Sequence, residues 1–399
     1  MPETITVDRV QELIRKHHLD TIAVRRHLHA HPELSFQEHA TGAYIADRLR
    51  GMGVEVRTGI AGTGVIGTVR GKGPGRTVCL RADIDALPIQ EANELPYASR
   101  NAGVMHACGH DAHTAMVLAA GRVLHELRDA WDGTVLLLFQ PGEEKIPGGA
   151  SLVLKEGALK DPAPDAILGQ HVTPELEVGK VGFHAGPFMA SSDELYLTVK
   201  GRGGHAAQPE KLIDPIQIAA RLLNVLQDEF KAWRKEAPLI MGFGRVIADG
   251  ATNVVPNEVR IAGTLRTFDE TLRAEAHEWL VRKADALCRS HGGSCHVEIR
   301  KGYPVLVNDA ALTDRVRAAA VEFLGADQVV EMPRRMGSED FAFYTQVMPG
   351  SFHRLGTGNP KKGEAPGLHT PMFNIPEESL AIGAGVLVWG ALKELFGVC

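Results

Sequence analysis

Cysteine is scarce in this chain: five in 399 residues, at Cys79, Cys108, Cys288, Cys295 and Cys399. Few, odd in number and widely spaced, they argue against a disulfide framework and fit a reducing, cytoplasmic setting. Cys288 and Cys295 are close enough to meet in space, but their spacing is that of no recognised metal pair. A basic excess is missing too. The net charge is −6 with both signs interspersed, so there is no basic stripe for nucleic acid and no polybasic segment for an anionic membrane. Met1 to Asp20 is charged and has no apolar core of a secretory leader. The longest late apolar run, Leu380 to Leu392, falls short of the ~20 residues that cross a bilayer and reads as a buried helix. No internal repeat and no low-complexity tract is present. What remains is an ordinary globular composition, 44% apolar and 23% charged, in a chain too long for one core. Two domains are expected.

The densest chemistry lies in His106-Ala107-Cys108-Gly109-His110-Asp111-Ala112-His113. A single Cys or His is usually packing. One thiol, three imidazoles and one carboxylate in a single octapeptide make that reading poor here. The apolar run Ala115 to Leu124 follows, so the cluster sits on a turn entering a helix, with Asp111 or Thr114 as a cap. In an extended turn Cys108 and His110 point to one side, as ligands of a borderline-soft divalent metal do.

Other segments deliver polar groups at strand ends. A helix from Val7 to about His31 ends near Pro32 in a His-rich stretch, Arg25 to Ser35, and a second helix covers Glu38 to Met52. Strands follow at Val54 to Arg57, Gly64 to Val69 and Thr77 to Arg81, with a hairpin at Gly71 to Gly75 between the last two. The third opens into Asp83 and Asp85, at the edge where open α/β sheets collect ligands. These aspartates either ligate or orient a ligand; a plain turn with an Asp cap is the alternative. Strand Thr134 to Gln140 is continuously apolar, as expected for burial on both faces, and ends in Pro141-Gly142-Glu143-Glu144. Adjacent side chains diverge, so one glutamate can bind metal while the other faces substrate as a base. Strand Asp165 to Gln170 ends at His171, the third strand end with a metal-competent residue. From Ser191 to Arg300 the order is β-α-β-β-α-β, the split unit of a ferredoxin-like sandwich. It interrupts a larger α/β domain that resumes after Pro304, passes the turn Leu368-His369-Thr370-Pro371 and closes on helix Glu377 to Leu395. The expected fold is α/β, a catalytic domain of residues 1–185 and 301–399 carrying an inserted α+β domain of residues 186–300.

The chain resembles the zinc-type metallopeptidases and amidohydrolases that include aminoacylases, hippurate hydrolase and hydrolases of indole-acetyl-amino-acid conjugates. The resemblance spans essentially the full length. It rests on His29 to Ser35, Leu80 to Pro88, His106 to His113, Gln140 to Glu144, Gly201-Arg202-Gly203-Gly204-His205-Ala206-Ala207, Ser338-Glu339-Asp340-Phe341 and His369-Thr370-Pro371, in that order. It implies two divalent ions per subunit (zinc, manganese or cobalt) held by Cys108, His110, Glu144, His171 and His369. Glu143 is implied as general base and then acid, and Asp85 as a residue supporting a ligand. The inserted domain is implied to be a lid that also dimerises. There His205 would polarise the scissile carbonyl, in its own or the partner's site, and Asn253 and Arg266 would contact substrate; Arg suits a carboxylate. The implied reaction is hydrolysis of a small N-acyl-amino acid or short peptide by a homodimer or dimer of dimers, without nucleic acid or membrane.

Three rivals stand beside that reading. One is a dipeptidase or carboxypeptidase on the same scaffold. Another makes Cys108 a nucleophile with His110 or His113 as its base. The third is a non-catalytic protein that binds amino-acid derivatives, which the Glu143-Glu144 pair disfavours.

Overall fold

The computed structural model describes residues 5–233, 238–359 and 366–397. The chain divides into two compact units. The first comprises Met1–Gly186, Val307–Pro333 and Asp340–Cys399; the second comprises Pro187–Leu306 and Arg334–Glu339. Residues 301–306 and 334–339, expected in the catalytic domain, fall in the second unit, and Gly186, expected in the inserted domain, falls in the first. The stretch 301–306 follows the second unit because Gly302 N–H donates to the Ser192 carbonyl, and 334–339 because Arg335 N–H donates to the Phe188 carbonyl and Ala190 N–H donates to the Gly337 carbonyl.

The first unit is built on an eight-stranded mixed sheet. Its strands run in the order Glu55–Ile60, Gly64–Arg70, Thr134–Gln140, Thr77–Asp83, Ala166–Glu177, Gly350–Gly358, Val181–Phe183 and Val329–Glu331. The middle strands are parallel and buried along most of their length, Val135 to Gln140 completely, which explains the unbroken apolar run Val135 to Phe139. Helices Val7–Ala30, His110–Glu126 and Glu378–Phe396 pack on one another. The first helix starts at Thr6, whose hydroxyl accepts the Arg9 N–H, and buries Val10, Leu13, Ile14, Val24 and Leu28 at helical spacing.

Three expectations change. The strands flanking Gly71 to Gly75 form no hairpin, because Thr134–Gln140 lies between them, antiparallel to one and parallel to the other. Their connection is tied instead to the loop before that strand, by Gly71 N–H to the Gly133 carbonyl and Lys72 N–H to the Trp131 carbonyl, both at 2.9 Å. The strand expected to stop at Gln170 runs on to Glu177 because Gly350–Gly358 pairs along it, so His171 sits inside a strand. The last helix, Glu378–Phe396, has 19 residues and is long and apolar enough to cross a membrane; 78% of its most apolar window is buried inside the unit, as a core helix. The length argument made from Leu380 to Leu392 therefore fails, while the buried-helix reading agrees.

The second unit has the β-α-β-β-α-β order. Its antiparallel sheet runs Leu239–Ile247, Glu258–Thr267, Asp193–Lys200, Ser294–Lys301. Leu195, Leu197 and Val199 alternate with partly exposed residues and face a core shared with helices Pro215–Trp233 and Glu270–Ser290. A buried ion cluster locks the first strand to the second helix. The Asp193 carboxylate accepts from Arg273 at 2.5 and 2.9 Å and from His277 at 2.6 Å. Burial works against this carboxylate, but Arg273 and His277 outweigh it and hold its pKa at about 2. A depressed folded-state pKa contributes stability that is present above about pH 4 and lost as pH falls towards 2. Asp193→Ala is expected to destabilise the unit by about 3 kcal/mol, by stranding buried Arg273, and to flatten the acid limb of its unfolding curve; chemical denaturation from pH 2 to 7 checks both.

Candidate metal centre

The polar centre of the first unit is assembled from residues just past two strand ends, one turn into a helix, one inner strand and one loop. Helix His110–Glu126 begins directly at His110. Its N-cap is Gly109, at φ 87°, with no side-chain cap. A Cβ there would lie 2.5 Å from the Val172 side chain, so only glycine allows Cys108 and His110 this close to the strand bearing His171. The expected caps do other work: Asp111 is bound by Arg25 and His29, and the Thr114 hydroxyl donates to the Asp83 carbonyl at 3.1 Å.

Cys108, His110, Glu144, His171 and His369 come together. Cys108 Sγ lies 3.3 Å from Nε2 of both His171 and His369, and His369 Nε2 lies 3.1 Å from Glu144 Oε1. One donor atom from each of Cys108, His110 and His171 falls within 4.8 Å of the others, as does one from each of His110, Glu143 and Glu144. Metal–nitrogen and metal–sulfur bonds of about 2.0 and 2.3 Å at a tetrahedral angle separate two ligands by about 3.5 Å, so this spacing fits. His110 Nε2 is buried with no hydrogen-bond partner. Its Nδ1 faces the Asp85 carbonyl at 2.9 Å and Asp85 Oδ1 at 3.1 Å, both acceptors, so Nδ1 carries the proton and Nε2 is left for a ligand. His171 is arranged alike, with Nδ1 donating to the Val172 carbonyl at 2.7 Å. His369, at φ 61°, is held by its N–H on the Ala107 carbonyl, next to Cys108. The thiolate, imidazole and carboxylate set suits zinc, manganese or cobalt.

The electrostatics match a site built for cations. Burial, Glu144 and Glu143 together push the Cys108 thiol well above its ordinary range. Burial opposes charge on His110, yet Asp83 and Asp85 outweigh it and raise its pKa to about 10. Burial and then Arg354 hold His171 well below its usual value, in the neutral form that ligates.

Several residues support the ligands in ways the sequence does not indicate, among them His113, which it offers only as a base for Cys108. His113 Nε2 accepts the Val172 N–H at 3.1 Å, so its Nδ1 donates to Asp83 Oδ1 at 2.6 Å. Both nitrogens are used, and His113 aligns the strand at His171. Arg81 bridges Asp83 and Asp340, each at 2.7 Å. His29 faces Asp111 at 2.8 Å and Glu91 at 3.1 Å; burial opposes its charge, but these carboxylates lift its pKa to about 9. The His-rich motif was the signal for His29, whereas Glu91 had none. In the second unit, His205 and Asn253 are exposed and adjacent: His205 pairs with Val254, and Ala206 N–H donates to the Asn253 carbonyl at 3.0 Å. Arg266 is half-buried on its strand and donates to the Met336 carbonyl at 3.0 Å.

The sequence pattern of peptidase family M20/M25/M40 matches residues 79–389. The chain belongs to this family. The M20 chain is 41% identical over 305 residues to an N-acyl-L-amino acid amidohydrolase of Geobacillus stearothermophilus, covering 76% of this chain and 82% of that protein. It is 35% identical over 367 residues to thermostable carboxypeptidase 2 of Saccharolobus solfataricus, covering 91% and 92%. The crystal structure of a dinuclear metal-binding M20 peptidase of Bacillus subtilis matches the fold with a TM-score of 0.84 at 35% identity, over 96% of this chain and all of that one.

Proposed function

We propose that this M20 chain hydrolyses the amide bond of N-acyl-amino acids, releasing a carboxylic acid and a free amino acid. The observation that carries the reading is a glutamate pair at one donor cluster: carboxylate oxygens of Glu143 and Glu144 lie within 4.8 Å of each other and of a His110 ring nitrogen, and Glu144 is grouped in the same way with Cys108 and His369. Cys108, His110, Glu144, His171 and His369 would hold two divalent ions. Bound ions would supply Lewis-acid activation of a water and of the scissile carbonyl. Glu143 takes the proton from the attacking water and returns it to the leaving nitrogen. Asp85 keeps His110 in the ligating tautomer through its contacts with Nδ1. His205, Asn253 and Arg266 of the second unit are assigned to substrate, His205 at the carbonyl oxygen and Arg266 at the carboxylate. That unit's sheet has edges at Leu239–Ile247 and Ser294–Lys301, on which a second copy would pair to form a homodimer.

Cys108 as nucleophile is the weaker reading, because burial and two carboxylates hold it as an unreactive thiol. The carboxypeptidase relative supports a second substrate class, short peptides. The test is amine release from N-acetyl-, N-benzoyl- and longer N-acyl-amino acids beside matching dipeptides. The proposal expects N-acyl substrates to exceed the dipeptides in kcat/KM by at least about tenfold, or 1.4 kcal/mol. The reverse order assigns the chain to peptides.

A further inference from the structure

The segment Glu33 to Glu38 braces two strand ends at once. The Glu33 carbonyl accepts the Ala86 N–H at 2.8 Å, and the Ser35 hydroxyl donates to Asp85 Oδ2 at 2.7 Å. On the other strand end, Glu38 Oε1 accepts the Gly142 N–H at 2.8 Å, while Oε2 accepts the Thr63 hydroxyl at 2.7 Å. Glu38 is fully buried. It occupies the N-cap position of helix His39–Gly51, yet its side chain makes no cap bond. Glu33 does that work, accepting from the N–H groups of Ala40 at 3.1 Å and Thr41 at 2.7 Å. The Glu38 carboxylate is thereby turned towards the strand end instead.

What it holds there is a conformation only glycine adopts readily. Gly142 has φ 62°, and a Cβ would lie 2.3 Å from the Phe36 ring. Its carbonyl accepts the Gly149 N–H at 3.0 Å, so both ends of the residue are pinned. Glu143 is next in the chain. The peptide geometry at Gly142 sets the direction of the Glu143 Cα–Cβ bond and, through it, of Glu144, whose own N–H is held by Asp85 Oδ2 at 3.0 Å.

We infer that Glu38 is a positioning residue for the glutamate pair: its buried carboxylate, through the Gly142 N–H, fixes the aim of Glu143. The inference rests on the proposed hydrolase reading, in which Glu143 moves the proton. A misplacement of about 1 Å at a reacting group costs ~10²-fold in rate.

The experiment compares Glu38→Ala and Glu38→Gln in the full-length, metal-loaded protein. It reads kcat, KM, bound metal and hydrogen exchange of the Gly142 amide. Glu38→Ala is expected to lower kcat by ~10²-fold with KM and metal content near wild type, and to speed Gly142 exchange. Glu38→Gln keeps an acceptor for Gly142, and the Thr63 hydroxyl can turn to accept from the new amide, so kcat returns to within about tenfold. A melting temperature that falls while kcat and Gly142 exchange stay unchanged in Glu38→Ala overturns the inference. So does a Gln variant as impaired as the Ala variant. If Glu38→Ala does not fold, Thr63→Val loosens the same carboxylate, and unchanged kcat and exchange there overturn it as well. If the wild type hydrolyses no N-acyl-amino acid, the hydrolase reading fails by itself, and the exchange difference between the two Glu38 variants still decides whether Glu38 holds Gly142.

Discussion

Glu143→Gln is expected to lower kcat by roughly 10²- to 10⁴-fold while leaving the fold and bound metal unchanged. The substitution keeps the shape of a buried side chain and removes its ability to take a proton. Glu143 sits within 4.8 Å of donor atoms on His110 and Glu144, so it is close enough to share the site. The division of labour rests on the chain geometry: Glu144 Oε1 lies against His369, itself 3.3 Å from Cys108. Glu144 also shares a donor group with Cys108 and His369, as a ligand would, and Glu143 is assigned the proton. Metal content by elemental analysis and kcat on the best N-acyl substrate check this together. Near-normal turnover removes Glu143 from the mechanism, and loss of metal in parallel with activity makes it a ligand instead.

The parts of this centre that were legible in the sequence share one property: their chemistry is local. Cys108 and His110 sit in one turn, Glu143 and Glu144 are consecutive, and each pair borders a segment whose apolar pattern marks a helix or strand. His171 and His369 are remote in sequence. The strand pattern marks His171 as metal-competent, but both are assigned as ligands by resemblance to the zinc-type metallopeptidases and amidohydrolases, and spacing does not reach His369. The inserted β-α-β-β-α-β unit was legible because its strands alternate with period two and its helices are long.

What escaped was long-range. The expected hairpin at Gly71 to Gly75 failed because strand order depends on a third strand, Thr134–Gln140, sixty residues or so downstream, which no local turn signal encodes. The extension of the strand through His171 depends on pairing with Gly350–Gly358. The supports of the ligands were hidden for the same reason. Glu38 reads as an ordinary helix-start residue until the fold brings Gly142 to it, and Glu91 becomes visible only as the partner of His29.

Stripping the protein of metal with a chelator is expected to lower activity by at least ~10³-fold, about 4 kcal/mol in the barrier. The donor set explains the size of the effect. Without a cation the cluster holds a buried His110 with its pKa raised to about 10 and a Cys108 thiol pushed far up, neither in the form that ligates or reacts at neutral pH. The decisive measurement is a titration of the stripped protein with zinc, manganese or cobalt, following hydrolysis of an N-acyl-amino acid and bound metal together. The dinuclear reading predicts that activity returns and saturates as the chain takes up two ions. Full activity in the stripped protein, abolished by alkylation of Cys108, would contradict it and make the thiol the nucleophile.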